Sequence, residues 1–272
     1  MNIKKNFISV LIANYNGEKY IKKCLDSLCR QKFKKFEVIF FDDSSTDKSI
    51  QYVKKFQNKL NIKVIKNYKK KKTYPAYNQI NSYLTAFKFS KGEIIVFLDS
   101  DDFFKNNKLL EVYNFFEKFD KKNIVVDLPY LWFSKKKINF FKINNTNFIK
   151  LWKKFPPQSC ISIKRSFFLK IYKNIIINKF SSVWLDTRIL LYSCFVFEEY
   201  NLVNKKLTYY FQHLNSISSN YRFLSFNWWL RRNETFNFLF YILKKNKIKI
   251  PLSTDYILTK IISYLILILK KF

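Results

Sequence analysis

The chain has 272 residues, with 51 Lys+Arg against 19 Asp+Glu for a formal net charge of +32, and 48% of it is hydrophobic. That is enough apolar material for one large domain, or one domain plus an appendage, with a real core, and it argues against generic disorder. The only two glycines, Gly17 and Gly92, exclude both the G-x-G-x-x-G dinucleotide fingerprint and the G-x-x-x-x-G-K-[ST] phosphate loop, so any nucleotide site must come from side chains or from carboxylates with a metal. Four cysteines without a C-x-x-C pair and one histidine, His213, exclude zinc-site spacing and predict reduced, mostly buried thiols in a cytoplasmic protein. Lys, Asn, Ile, Phe and Tyr are abundant and Gly, Ala, Pro and Arg scarce, the usage of AT-rich codons, so the lysine excess alone is weak evidence for nucleic acid. A field of this sign still attracts phosphate-bearing substrates and anionic membranes.

In chain order, the apolar run at 7–13 has no cleavage-site pattern and predicts a buried strand, not a signal peptide. Tyr20, Ile21, Cys24, Leu25 and Leu28 then fall on one helical face. A second strand is expected at 36–41, a helix through Ile50, Val53 and Phe56, a third strand at 62–65, and a helix from about 75 to 90. The run 94–98 is apolar at every position, as in a parallel strand covered by helices on both faces. This alternation predicts an α/β fold with a mainly parallel sheet, in which ligands bind beyond the carboxyl ends of the strands. Beyond about residue 125 the pattern is irregular: a strand at 161–163, helices at 165–172 and 184–196, and a helical tail from 226.

Three strand ends carry polar residues: Asn14/Tyr15, Asp42/Asp43 and Asp99/Asp101. Carboxylates two apart after a buried strand can converge on Mg²⁺ or Mn²⁺ and leave open positions for substrate phosphates, where the metal neutralises charge on a departing diphosphate. The alternative for Asp99-Ser100-Asp101-Asp102 is helix capping by Ser100 or Asp102. Likewise, Ser44 or Ser45 could cap the helix after Asp42-Asp43, with Asp47 in its first turn. Asp43 is the better candidate for a base or ribose contact.

The segments 8–16, 37–47 and 91–102, ending in Asn14-Tyr15-Asn16, Asp42-Asp43-Ser44-Ser45-Thr46-Asp47 and Asp99-Ser100-Asp101-Asp102, resemble the family-two glycosyltransferases of GT-A fold. The resemblance covers about the first 110 residues strongly and the next hundred weakly. It implies a GT-A catalytic domain at 1–220, a Rossmann-like parallel sheet flanked by helices, with a C-terminal helical extension at 221–272. The implied reaction is metal-dependent inverting transfer from a nucleotide-diphosphate-sugar donor, a UDP-sugar first of all, to an acceptor hydroxyl in surface polysaccharide or glycolipid synthesis. Carried over by position, Tyr15 and Asp43 contact the nucleobase, Asp99 the ribose or metal, and Asp101 the Mg²⁺ or Mn²⁺ on the diphosphate, with Asp102 beside them. The family's later acidic motif, often Glu-Asp before a helix, corresponds to Leu185-Asp186, making Asp186 the candidate general base. Its alternatives are a helix N-terminal acid or an ion pair with Arg188. His213, in a segment like the family's late His- and Ser-bearing stretch, is a candidate diphosphate or metal contact. The sequence departs from the family at Ala13-Asn14, where Pro-Thr is usual, and at Lys69–Lys72, where Gly and Arg are usual; those lysines could still meet the diphosphate.

The tail 256–272 is shorter than a membrane span needs and contains Lys260, so it reads as an interfacial helix on the inner face of the membrane or as a core-packing helix. Trp228-Trp229-Leu230-Arg231-Arg232 reads as a packed helix with a solvated basic face, or as a patch that docks on anionic lipid or grips a lipid-linked acceptor. Rival readings are a nucleic-acid-binding protein, a nucleotidyltransferase and a noncatalytic homologue with an altered Leu185-Asp186 motif. Against nucleic acid as a partner, the aromatics follow core periodicity and the strand-end acids repel phosphate unless a metal intervenes.

Overall fold

The computed structural model describes residues 2–68, 74–133, 138–140, 154–213 and 220–269. The first half alternates β1 (Lys4–Asn14), α1 (Glu18–Cys29), β2 (Phe36–Asp42), α2 (Ser49–Lys55), β3 (Ile62–Lys66), α3 (Pro75–Phe89) and β4 (Gly92–Asp99). β1 pairs in parallel with β2 on one side and β4 on the other, and β3 lies outside β2. The chain therefore leaves β1 in one direction and returns to its other side, which opens a crevice at the carboxyl ends of β1 and β4.

The reason these strands are apolar throughout is that both faces are covered. On β1, Leu11 faces one core while Ile8, Val10 and Ile12 face the other, and on β4 Ile95 and Phe97 oppose Ile94, Val96 and Leu98 in the same way. One core is closed by α1, α2 and α4 (Lys108–Lys118), the other by α3, α5 (Arg165–Ile175), α6 (Leu185–Val196) and α7 (Phe226–Lys245). Gly92 is required where β4 starts beside β1: a Cβ there would lie 2.6 Å from the Ser9 amide nitrogen and 2.7 Å from the Phe7 carbonyl.

The second half of the sheet is mixed. β4 pairs antiparallel with β8 (Ile161–Lys164), followed by β6 (Ile124–Phe133), β9 (Leu202–Gln212) and the short β5 (Phe103–Phe104), while β7 (Ile138–Phe140) hangs on β6. β6 and β9 run parallel to each other with register shifts. α7 contributes Phe236, Phe238, Leu239, Ile242 and Leu243 to the same core as α3, α5 and α6. α8 (Thr254–Leu269) packs on α7. Among the described residues no helix is long and apolar enough to cross a membrane.

Candidate active site

Register brings the three polar strand ends into one row. Asn14 pairs with Asp42 across β1 and β2, and Ala13 with Asp99 across β1 and β4. The buried Asn14 amide ties the first two ends together, donating to Asp42 Oδ1 at 3.0 Å and Ser45 Oγ at 3.1 Å. Gly17 sits against it so closely that a Cβ would fall 2.2 Å from Asn14 Oδ1. Tyr15 stands at the rim, 54% exposed. Asp43 is buried, with Oδ1 accepting from Asn67 Nδ2 at 2.8 Å.

The loop after β2 differs from the capping expected of it. Ser44 has a left-handed φ of 61° and donates to the Asn67 carbonyl, and Ser45 accepts from Asn16 N, so neither caps a helix. Asp47 does that work for two helices, accepting from Glu18 N at 2.8 Å and Ser49 N at 3.0 Å. Burial pushes its carboxyl up, but the donors from Ser49 and Glu18 outweigh that and hold it below the ordinary value.

At the end of β4 the acids separate by environment. Asp99 Oδ1 accepts from Tyr83 Oη at 2.7 Å and Gln79 Nε2 at 3.4 Å, both on α3. Burial, then Asp101, push its carboxyl up to about 7, with Asp186 adding to the rise. Asp102 is fully buried, accepting from Phe211 N at 2.9 Å and Ser159 Oγ at 2.5 Å. Its oxygens are thus engaged by β9 and by the 3₁₀ turn Gln158–Cys160, and it braces the acidic turn from behind. Ser159 Oγ also accepts from the Asp99 amide at 3.0 Å, so one hydroxyl fixes both flanks of Asp101. Asp101 remains 30% exposed, its Oδ2 lying 3.2 Å from His213 Nε2. The imidazole stacks on Tyr20 with centroids 4.9 Å apart and is flanked by Phe211.

Asp186 enters from α6, in the first turn. One carboxylate oxygen accepts from Thr187 N at 2.5 Å and Thr187 Oγ1 at 3.2 Å. Burial raises its carboxyl above the ordinary value, while the Arg231 guanidinium opposes the rise. The expected alternative, a pair with Arg188, is not formed. Arg188 is fully buried and donates to four carbonyls, those of Val183, Ile175, Ile177 and Phe180, tying down the segment that leads into Asp186. Leu185, standing where the family often has an acid, is fully buried in the core, so its side chain takes nothing from the cleft.

Beside Asp186 is a pocket of about 500 Å³ lined by Ser181, Ser182, Tyr221, Asn227, Arg231 and Glu234. Arg231 lies 4.8 Å over the Tyr221 ring and 6.0 Å from the Trp184 ring. Glu234 holds the pocket wall by accepting from Ser182 N at 2.8 Å and from the Ser182 hydroxyl. The sequence pattern assigns no role to Asn67, Gln79, Tyr83, Ser159 or Glu234, and it offers Arg231 only as part of the Trp228–Arg232 run. Lys69–Lys72, Thr73, Ser216 and Ser218 lie outside the described residues.

This architecture is that of the GT-A glycosyltransferases. The crystal structure of S. aureus TarS 1-349 in complex with UDP-GlcNAc superposes with a TM-score of 0.62 at 20% identity, covering 85% of this chain and 66% of that one. Residues 9–172 match the family model described as glycosyl transferase family 2, and the chain belongs to that family. Among curated relatives, the poly(ribitol-phosphate) beta-N-acetylglucosaminyltransferase TarS of Staphylococcus aureus (strain Mu50) is 37% identical over 118 residues, 40% of this chain and 19% of TarS. The UDP-Glc:alpha-D-GlcNAc-diphosphoundecaprenol beta-1,3-glucosyltransferase WfaP of Escherichia coli is 33% identical over 110 residues, 40% of this chain and 41% of WfaP. The chain thus spans less than half the length of these relatives.

Proposed function

We propose that this chain transfers a sugar, with inversion, from a nucleoside diphosphate donor of UDP type to an acceptor hydroxyl in surface glycan or glycolipid synthesis. The observation that carries this reading is the row of three polar strand ends, two of them acid-bearing, with Asp186 in electrostatic reach of Asp99. Tyr15 and Asp43 take the nucleobase, with Asn67 orienting the Asp43 carboxylate. Asp99, aimed by Tyr83 and Gln79, takes the ribose, and Asp102 is a positioning residue for the acidic turn.

Among the described residues no group of three or more His, Cys, Asp or Glu is arranged to hold a metal ion unaided. The donor set instead fits a cation completed by substrate: one exposed carboxylate, Asp101, beside one imidazole nitrogen of His213. Mg²⁺ and Mn²⁺ commonly bind through one or two carboxylates plus phosphate oxygens. Asp101 and His213 would hold such an ion, which when bound neutralises charge on the departing diphosphate. A TarS structure holds UDP-GlcNAc and the mannosyltransferase PcManGT from Pyrobaculum calidifontis, TM-score 0.57 at 14% identity, holds GDP-Man and Mn²⁺; both support this reading.

Asp186 takes the proton from the acceptor hydroxyl. Thr187 occupies one carboxylate oxygen, leaving the other for the acceptor, and burial makes the carboxylate a stronger base than a solvated one. The adjoining pocket seats the acceptor, with Arg231 suited to a phosphate on it. The test is transfer from a panel of nucleotide sugars with Mn²⁺ or Mg²⁺. Asp186→Asn is expected to keep donor binding while losing about 100-fold or more in transfer. Transfer within about tenfold of wild type would remove Asp186 as the base.

A further inference from the structure

α8 is amphipathic in the wrong sense for a helix that only caps a core. The residues it buries are Thr259, Ser263 and Ile266, spaced four and three apart on one face. Two of the three are small and polar, and each is used. Thr259 Oγ1 accepts from Arg232 Nε at 2.8 Å, and Ser263 Oγ donates to the Trp229 carbonyl at 3.2 Å. Asp255 adds a 3.0 Å pair to Arg232. These polar contacts, with Tyr256 packed on Phe236 and Phe240 and with the buried Ile266, dock α8 on α7, and the remaining apolar side faces out.

That outer side is a full helical stripe. Ile257 (43% exposed), Leu258, Ile261, Tyr264, Leu265 and Ile268 follow the spacing of one face of a 3.6-residue helix. Leu252, 88% exposed, precedes the helix. Because Trp229 on α7 meets Ser263 on α8, the far end of the stripe lies at the start of α7, where Phe223, Leu224 and Phe226 are also exposed. An exposed apolar stripe of this length is uncommon on a soluble monomer and marks an interaction site.

We propose that the outer face of α8, with the apolar lip at 223–226, docks on an anionic lipid bilayer. Charge selects this occupant. Lys244, Lys245, Lys247 and Lys249 are exposed at the turn into α8, in a chain of net charge +32. Two copies meeting through this face would each bring that charge to the contact, whereas an anionic surface is attracted to it. A helix of 16 residues, about 24 Å long, is too short to span a bilayer but lies readily in its interface. The lip is continuous in sequence with Tyr221, Asn227 and Arg231 of the pocket beside Asp186, so docking would present that pocket to amphiphilic acceptors. The docking claim itself does not depend on the reaction assigned to the site.

The test is co-sedimentation of the full chain with vesicles of phosphatidylcholine alone and of phosphatidylcholine with phosphatidylglycerol. A double variant, Ile261→Ser with Leu265→Ser, changes two outward side chains that are each more than half exposed. Wild type is expected to sediment with the anionic vesicles, to release at high salt, and to lose affinity by at least about tenfold in the double variant, with an unchanged urea midpoint. No binding to anionic vesicles, binding indifferent to lipid charge, or equal binding by the double variant would overturn the proposal. So would a wild-type dimer, seen by analytical ultracentrifugation, that the double variant abolishes.

Discussion

Arg188→Met is the most informative perturbation of the frame around the candidate base. The guanidinium is fully buried and donates to the carbonyls of Val183 (2.8 Å), Ile175 (2.7 Å), Ile177 (2.8 Å) and Phe180 (2.5 Å). Four bonds from a charged donor, at about 1.5 kcal/mol each, contribute about 6 kcal/mol. Against this, burial lowers the guanidinium pKa from 12.5 to about 10, a cost of about 3 kcal/mol. The side chain is therefore worth about 3 kcal/mol net, and truncation adds the penalty of buried carbonyls left without donors. Arg188→Met should lower the unfolding free energy by about 3–5 kcal/mol, read as a fall in urea midpoint at unchanged slope. Arg188→Lys should recover little, because one ammonium on a flexible stem cannot serve four carbonyls spread around a planar fork. A loss under about 1 kcal/mol for Arg188→Met would refute this, showing that the carbonyls find water and that the segment before Asp186 is not held from beneath.

Gly92→Ala should destabilise by about 1–3 kcal/mol, since the added methyl meets the backbone of Ser9 and Phe7, which cannot move without parting β1 from β4; chemical denaturation checks it. The acid limb of the transfer pH profile should lie above the ordinary carboxylate range, because burial raises Asp186 and the base must be ionised to act. Arg231→Met should move that limb to still higher pH, since the guanidinium favours the carboxylate; a limb that stays put would separate the two groups.

The parts of the fold that could be read from sequence are those whose environment is uniform along the chain. β1, β2 and β4 are covered on both faces, so they appear as unbroken apolar runs, and their polar ends stand out against them. β6 and β9 fall in the irregular region because they carry a buried Asp127 bonded to Lys108 and Thr208, a proline at 129 and an exposed Lys205, features that erase any period. The cap expected of Ser44 or Ser45 falls to Asp47 instead, because Ser44 is drawn to the Asn67 carbonyl beyond β3 and Ser45 to the Asn16 amide. Likewise the roles of Tyr83, Gln79 and Ser159 come from α3 and a 3₁₀ turn folding against the end of β4, contacts that no local pattern encodes. In α8 the stripe was visible, but its outward sense depends on what Arg232 and the Trp229 carbonyl require of Thr259 and Ser263.

The central claim is that the row of strand-end acids binds a nucleoside diphosphate together with a divalent cation. Calorimetric titration of UDP and other nucleoside diphosphates, with and without Mn²⁺, into wild type and Asp101→Ala tests it most directly. Binding that strengthens with Mn²⁺ in wild type, and loses that dependence in Asp101→Ala, is the expected result. Failure of every nucleoside diphosphate to bind wild type with the cation present would contradict it.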